Sequence, residues 1–215
     1  MSAADFLPPQ LDLESLREAA EHCQGCPLYR DATQTVFGKG PADARVVMVG
    51  EVPGDIEDRK GEPFVGPAGR LLDDALRDAG IHRDTVYITN AVKHFKFKVV
   101  GGRRLHQKPG IREMRACKPW LEAEFEAINP EVIVCLGATA AQSVISPDFR
   151  ITRQRGDVFH TEYAPVTLAT YHPSAILRAP DEAARAKMYD LLVDDLRTAA
   201  RHLAVVEPAL VDDLD

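Results

Sequence analysis

Four short runs of apolar, largely β-branched residues predict the strands of this chain. They span residues 45–49, 86–89, 131–136 and 166–170. None of them alternates strictly between apolar and polar side chains, which is typical of parallel strands that are covered on both faces. The pattern therefore predicts a parallel sheet buried between layers of helices.

Helical stretches lie between and around these strands, at residues 11–22, 68–79, 111–128, 138–144 and 181–203. The first carries its apolar side chains at helical spacing and ends at a turn that contains two cysteines. Alternating strands and helices predict a three-layer α/β/α sandwich around a central, mainly parallel four-stranded sheet, with right-handed crossovers.

The chain shows no internal repeat and no flexible linker, so residues 1–215 are predicted to form a single domain. Prolines at positions 8, 9 and 208 interrupt the adjoining helices. We therefore expect the ends, about 1–10 and 205–215, to be loosely ordered.

The composition, with 45% hydrophobic and 27% charged residues among 215, is that of an ordinary globular protein. No apolar run approaches the roughly 20 residues that cross a bilayer, and the N-terminus has no signal-peptide pattern. We expect a soluble, cytoplasmic, monomeric protein that does not bind membranes.

The net charge of -7 argues against a nucleic-acid partner, but the distribution of the charges changes that conclusion. Residues 93–118 contain nine Lys and Arg residues and one acid, Glu113. This basic segment is either a surface for phosphates or an ordinary solvated loop.

Three polar side chains follow predicted strands. Glu51 lies in a tight turn after the first strand, Asn90 ends the second, and His172 follows the fourth. Ligands of such sheets bind beyond the carboxyl ends of the strands, so the three residues are candidates for one site. Taken singly, each has a plainer role, as a helix cap, a turn former or a loop residue.

The motifs around these residues resemble those of the bacterial and archaeal iron-sulfur uracil-DNA glycosylases, in the same order along most of the chain. They are GEVPG at 50–54, PFVGPAG at 63–69, Asn90 and HPS at 172–174. The stretches KHFKF at 93–97 and GGRRLH at 101–106 are similar to UdgX, the actinobacterial branch that attaches covalently to uracil-containing DNA.

The resemblance implies a pocket for a uracil that has been flipped out of DNA. Phe64 would stack on the base, Asn90 would pair with its O4 and N3, and Gly50 and Val52 would complete the pocket. The chain departs from UdgX at Val52, where that branch usually has Gln, which removes a polar side-chain contact.

The resemblance also implies catalytic roles. His172 would donate a hydrogen bond to uracil O2, and Glu51 would stabilise the cationic sugar. His106 would attack C1′ and leave the protein joined to DNA. Without the resemblance, His106 would be predicted as a phosphate contact in a mobile loop.

The DNA partner, expected to be single-stranded, would be contacted mainly by the basic segment. The phosphate-binding candidates are Arg103, Arg104, Lys93, Lys96, Lys108 and Ser174.

Cys23 and Cys26 have a spacing that suits either an iron-sulfur cluster or a zinc site. Counting cysteines alone would add Cys117 and Cys135, but Cys135 lies inside a predicted central strand. The resemblance instead implies a structural [4Fe-4S] cluster on Cys23, Cys26, His94 and Cys117.

Three functions stay open at this point. They are a single-turnover enzyme trapped on DNA, a multiple-turnover uracil-DNA glycosylase that uses water, and a non-catalytic DNA-binding protein with a cluster.

Overall fold

The computed structural model of the chain describes residues 1–204, and the predicted loose C-terminal end lies outside them. The strands of the central sheet are β1 (Val46–Gly50), β2 (Val86–Asn90), β5 (Val132–Leu136), β6 (Val158–Phe159) and β7 (Val166–Thr170). They lie in the order β2-β1-β5-β7-β6. Strands β2, β1, β5 and β7 are parallel, and β6 pairs antiparallel with β7 at the edge of the sheet.

The α-helices are α1 (Leu13–Glu21), α2 (Asp55–Lys60), α3 (Pro67–Asp78), α4 (Ile111–Ile128), α5 (Ala138–Val144), α6 (Ile151–Gln154), α7 (Pro173–Leu177) and α8 (Glu182–Ala204). None of them is both long and apolar enough to cross a membrane. A separate hairpin consists of β3 (Phe97–Val100) and β4 (Arg103–His106).

Alternate residues of the strands enter two different hydrophobic layers, because successive side chains of a strand point to opposite faces. Met48 and Val134 pack with α3 and α8 on one face. Val49 and Cys135 pack with α4 and α5 on the other. This arrangement confirms the three-layer α/β/α class, but the prediction of four strands is wrong, because the two-residue β6 adds a fifth.

The N-terminal residues also differ from the loose end that the sequence predicts. Ala3–Phe6 form a 3-10 helix capped by the Ser2 side chain. Ala3 is fully buried in a third cluster that also contains Leu16 and Trp120. This cluster fixes α1 and the cysteine-containing turn after it against α4.

Candidate active site

Side chains at the carboxyl ends of the parallel strands line one pocket of about 340 Å³. Its lining includes Glu51, Phe64, Asn90, His106 and His172. The structure thus brings together the catalytic and base-binding candidates from five separate segments. The volume is within the range of pockets for small ligands.

A hydrogen bond from a neighbouring strand end orients Glu51. Its Oε1 accepts from Thr139 Oγ1 at 2.9 Å, and Thr139 is itself buried at the start of α5. Thr139 was not predicted from the sequence, although it stands three residues after β5 at the same sheet edge. A fixed carboxylate can stabilise a developing positive charge without first reorganising.

Gly50 allows the base-binding candidates to approach each other. A Cβ at this position would lie 2.3 Å from Asn90 Oδ1 and 2.7 Å from Phe64 Cζ. Within residues 1–204, the Asn90 side-chain amide has no hydrogen-bond partner, although Asn90 is only 3% exposed. An amide that lines a pocket and makes no hydrogen bond within the protein suits the edge of a ligand that both donates and accepts.

Phe64 has a left-handed backbone conformation, with φ of 56°. Such a conformation is strained for a bulky residue and persists where surrounding contacts enforce it. The first turn of α3 lies directly against it, since a Cβ at Gly69 would be 1.7 Å from the Phe64 carbonyl oxygen. This packing holds the Phe64 ring 5.8 Å from the His172 ring, centroid to centroid.

His172 is neutral at physiological pH, and its surroundings select one tautomer. Burial, together with the charges of Arg178 and His106, lowers its pKa to about 4. Nδ1 accepts a hydrogen bond from the Ser174 backbone N–H at 3.0 Å. The proton of the neutral ring therefore lies on Nε2, which can donate to a ligand.

His106 reaches the pocket because it ends a regular hairpin rather than a mobile loop. β3 and β4 pair in register, with His106 opposite Phe97. Partial burial of the ring lowers the pKa of His106. The negative charge of Glu51 raises this pKa and the positive charge of Arg178 lowers it, and the net effect is a lowered pKa. A lowered pKa favours the neutral imidazole, which is the nucleophilic form.

Arg104 anchors the hairpin to α2. Its Nη1 donates to Asp58 Oδ2 at 2.6 Å, and its Nε lies against Asp55 as an ion pair without hydrogen-bond alignment. The guanidinium also stacks 5.0 Å from the Phe97 ring centroid. The prediction of Arg104 as a phosphate contact is therefore corrected to an internal anchor of the strand that carries His106.

Lys93 is not a DNA contact either, because its side chain is fully buried. Its Nζ forms an ion pair with Glu124 and donates to the Asn90 carbonyl oxygen at 2.9 Å. Lys96 is partly buried and pairs with Glu113 at 2.8 Å. Both lysines were predicted to contact phosphates, but each forms an ion pair with a glutamate of the protein.

The remaining basic candidates lie on the surface near the pocket. Arg103 and Lys108 are exposed, and Lys108 lines a second cavity that shares Glu51 and His106 with the first. Ser174 lines the first pocket at the start of α7. Arg178, which the sequence analysis missed, lines both cavities one turn further along.

Cys23, Cys26 and Cys117 share the third cluster with Trp120, whereas Cys135 belongs to a different cluster. Cys23 Sγ accepts from Trp120 Nε1 at 3.2 Å, and Cys117 Sγ accepts from the Lys93 backbone N–H at 3.3 Å. Within residues 1–204, no three His, Cys, Asp or Glu side chains are placed to hold a single metal ion.

His94, the fourth predicted ligand, is buried, and burial lowers its pKa to about 4. Its Nε2 lies 3.0 Å from Thr35 Oγ1, which donates its own proton to the Ala20 carbonyl oxygen at 2.8 Å. Nε2 must then be the donor toward Thr35. Nδ1 of the neutral ring is left unprotonated, as a metal ligand requires.

An α/β fold with a carboxylate, an amide, an aromatic ring and two imidazoles at the carboxyl edge of its sheet defines a class of enzymes that act on a planar, polar base. Comparison with known proteins identifies the family. The model of the uracil DNA glycosylase superfamily matches residues 37–197, and this chain belongs to that superfamily.

Individual relatives support the assignment. A Type-4 uracil-DNA glycosylase of Thermotoga maritima is 41% identical over 77% of this chain and 83% of its own length. One from Archaeoglobus fulgidus is 40% identical over 74% and 79%. A Type-5 uracil-DNA glycosylase of Thermus thermophilus is 29% identical over 76% and 80%. These matches confirm the predicted superfamily and its class of enzyme.

Proposed function

We propose that this chain removes uracil from DNA and then remains covalently joined to the sugar through His106. The observation that carries the proposal is the placement of His106 on a hairpin at the same pocket as Glu51, Asn90 and His172. The protein acts as a monomer, preferably on single-stranded DNA, since an unpaired base costs less free energy to extrude.

Base recognition rests on Phe64 and Asn90. The Phe64 ring stacks on the flipped base, while the Asn90 amide donates to O4 and accepts from N3–H of uracil. Cytosine has the opposite pattern of donor and acceptor at these two positions. It would leave buried polar groups unpaired, which disfavours its binding.

Cleavage of the glycosidic bond leaves negative charge on uracil and positive charge on the sugar. Nε2–H of neutral His172 donates to O2, where the negative charge accumulates. The Glu51 carboxylate, fixed by Thr139, stabilises the oxocarbenium-like sugar. Both groups act on charges that are largest in the transition state, so they accelerate the reaction rather than only bind the substrate.

His106 then traps the sugar. As the C1′–N1 bond breaks, its electron pair leaves with uracil, which takes up a proton from solvent. An unprotonated ring nitrogen of His106 forms the new bond to C1′, and the resulting imidazolium loses its proton to water. The neutral N-alkylated imidazole that results is a poor leaving group, so a single turnover ends in an adduct.

A second candidate is an ordinary glycosylase in which Glu51 orients a water that attacks C1′. The identity of 41% to a Type-4 uracil-DNA glycosylase favours this alternative. The two functions share the pocket and every step before the attack on C1′.

A denaturing gel separates the candidates. After incubation with a labelled uracil-containing oligonucleotide and boiling in detergent, we expect a retarded band of crosslinked DNA. The amount of crosslinked oligonucleotide should not exceed the amount of protein. Free abasic product in excess of protein would contradict trapping and support the water mechanism. Intact uracil in the oligonucleotide after incubation would contradict both.

We also propose a structural [4Fe-4S] cluster on Cys23, Cys26, Cys117 and His94, supported by the donor set. Hydrogen bonds to the sulfurs from Trp120 and Lys93 are of the kind that surround iron-bound thiolates. Ligands of a cluster bind different iron atoms, so they lie further apart than the ligands of one ion. When bound, the cluster would tie α1 to α4 and to the segment after β2.

Iron content tests the choice of ligands. Natively purified protein is expected to be brown and to hold about four iron atoms. Cys117→Ala is expected to lose most of the iron, whereas Cys135→Ala, a matched change of another buried cysteine, is expected to retain it. Zinc without iron, or iron loss in Cys135→Ala alone, would contradict the assignment.

A further inference from the structure

The hairpin of β3 and β4 has an outer face that nothing in residues 1–204 covers. Residues directly opposite each other in an antiparallel pair share a face, so the register places Lys98 with Leu105 and Val100 with Arg103. The other face carries Arg104 and His106, which contact α2 and the pocket. The outer face therefore alternates two basic and two aliphatic side chains.

The aliphatic side chains of this outer face are unusually exposed. Val100 is 50% and Leu105 is 43% exposed, while Val99, which the register places on the other face beside Arg104, is 65% exposed. Elsewhere on the described surface, the exposed large apolar side chains include Ile56 and Leu177, and both of these line the pocket. Neighbouring apolar side chains that stay exposed in this way mark an interaction surface.

The charge of the hairpin selects the partner. Residues 97–106 contain three basic residues and no acid. Arg104 is paired internally, whereas Lys98 and Arg103 form no ion pair with the described residues. Free cations beside aliphatic side chains suit a polyanion that also presents apolar surfaces, which is the character of an unpaired DNA strand.

The hairpin is rigid enough to position such a strand. Its turn is Gly101–Gly102, with φ of 56° and 74°, as a tight two-residue hairpin turn requires. A Cβ at either glycine would meet nothing within 4 Å, so the turn projects into open space. Strand β4 is held by the ion pairs of Arg104 with α2.

We propose that the outer face of the hairpin binds the DNA strand beside the flipped uridine. Val100 and Leu105 pack against sugars and base faces, and Lys98 and Arg103 contact the phosphates. His106 ends β4 at the point where this DNA strand enters the pocket. Binding of the strand therefore also sets the position of the sugar relative to the imidazole ring of His106. The inference rests on the proposed function in that it takes uracil-containing DNA as the ligand.

Two double variants test the two components of this surface separately. Val100→Ser/Leu105→Ser is expected to weaken binding of a uracil-free single-stranded oligonucleotide about ten-fold, because two aliphatic contacts are lost. The salt dependence should not change. Lys98→Gln/Arg103→Gln should flatten the slope of log K against log salt by about 1.4, the value for two phosphates of a single strand.

Matched controls are Val158→Ser on the edge strand β6, which is 39% exposed, and Lys187→Gln on the exposed side of α8. Both are expected to bind like the wild type in fluorescence anisotropy. Thermal melts check that every variant is folded.

Wild-type affinity in Val100→Ser/Leu105→Ser would overturn the inference. So would a wild-type dimer in sedimentation that this variant converts to a monomer, because the face would then bind a second copy. Absence of uracil release by the wild type, with the expected binding differences intact, would overturn the proposed function and leave the DNA-binding face standing.

Discussion

Lys93→Met is expected to lower the free energy of unfolding by about 3 to 5 kcal/mol, because it leaves the Glu124 carboxylate charged, buried and without its cation. Both side chains of the pair are fully buried. Lys93 Nζ also donates to Thr89 Oγ1 at 2.6 Å and to the Asn90 carbonyl oxygen. Chemical denaturation monitored by circular dichroism measures the effect.

The control is Lys96→Met, which removes the partly exposed ion pair with Glu113 and should cost less than about 1 kcal/mol. Adding Glu124→Gln to Lys93→Met should recover part of the loss. It removes the unpaired charge and leaves an oxygen to accept from the Tyr87 hydroxyl and the Thr89 hydroxyl. A free energy of unfolding for Lys93→Met within 1 kcal/mol of the wild type would contradict this account.

Lys93 also shows why the sequence could not separate the basic residues by role. Lysine is rarely fully buried, so a basic segment predicts a charged surface. The partner that makes burial tolerable, Glu124, is 31 residues away on α4. Arg104 presents the same difficulty, since its acidic partners lie 46 and 49 residues earlier on α2. Only the packed structure shows which cations are already neutralised.

The main elements, by contrast, could be predicted closely. The predicted helices at 111–128 and 138–144 coincide with α4 and α5, because both have apolar residues at helical spacing and a glycine directly before the first turn. β6 was missed, since two residues carry no periodic signal and the strand exists only through pairing with β7. α2 is six residues long and largely charged, so it resembled a loop.

The site residues that follow strands within recognisable motifs could be predicted from the sequence. Those that matter through contacts between distant segments could not. Glu51, Asn90 and His172 could be placed at one edge because parallel strands align their carboxyl ends. Thr139 and Arg178 lack a motif of their own. Their importance follows from a hydrogen bond to Glu51 and from charge near two imidazoles.

His106→Ser is expected to abolish the covalent adduct while uracil release continues, because the hydroxyl is a poor nucleophile without an adjacent base. Glu51 and Thr139 keep their hydrogen bond in this variant, so water can attack the sugar instead. The protein should then turn over more than once. A denaturing gel measures the adduct, and cleavage of abasic sites by alkali measures uracil release.

Two further variants make the result specific. His160→Ser changes an exposed histidine outside the pocket lining and should form adduct like the wild type. Glu51→Gln should slow uracil release by about 100-fold or more, and with it adduct formation, because the cationic sugar loses its counter-charge. If the adduct persisted in His106→Ser, another nucleophile would be responsible. If uracil release vanished as well, His106 would act in cleavage of the glycosidic bond and not only in the capture of C1′.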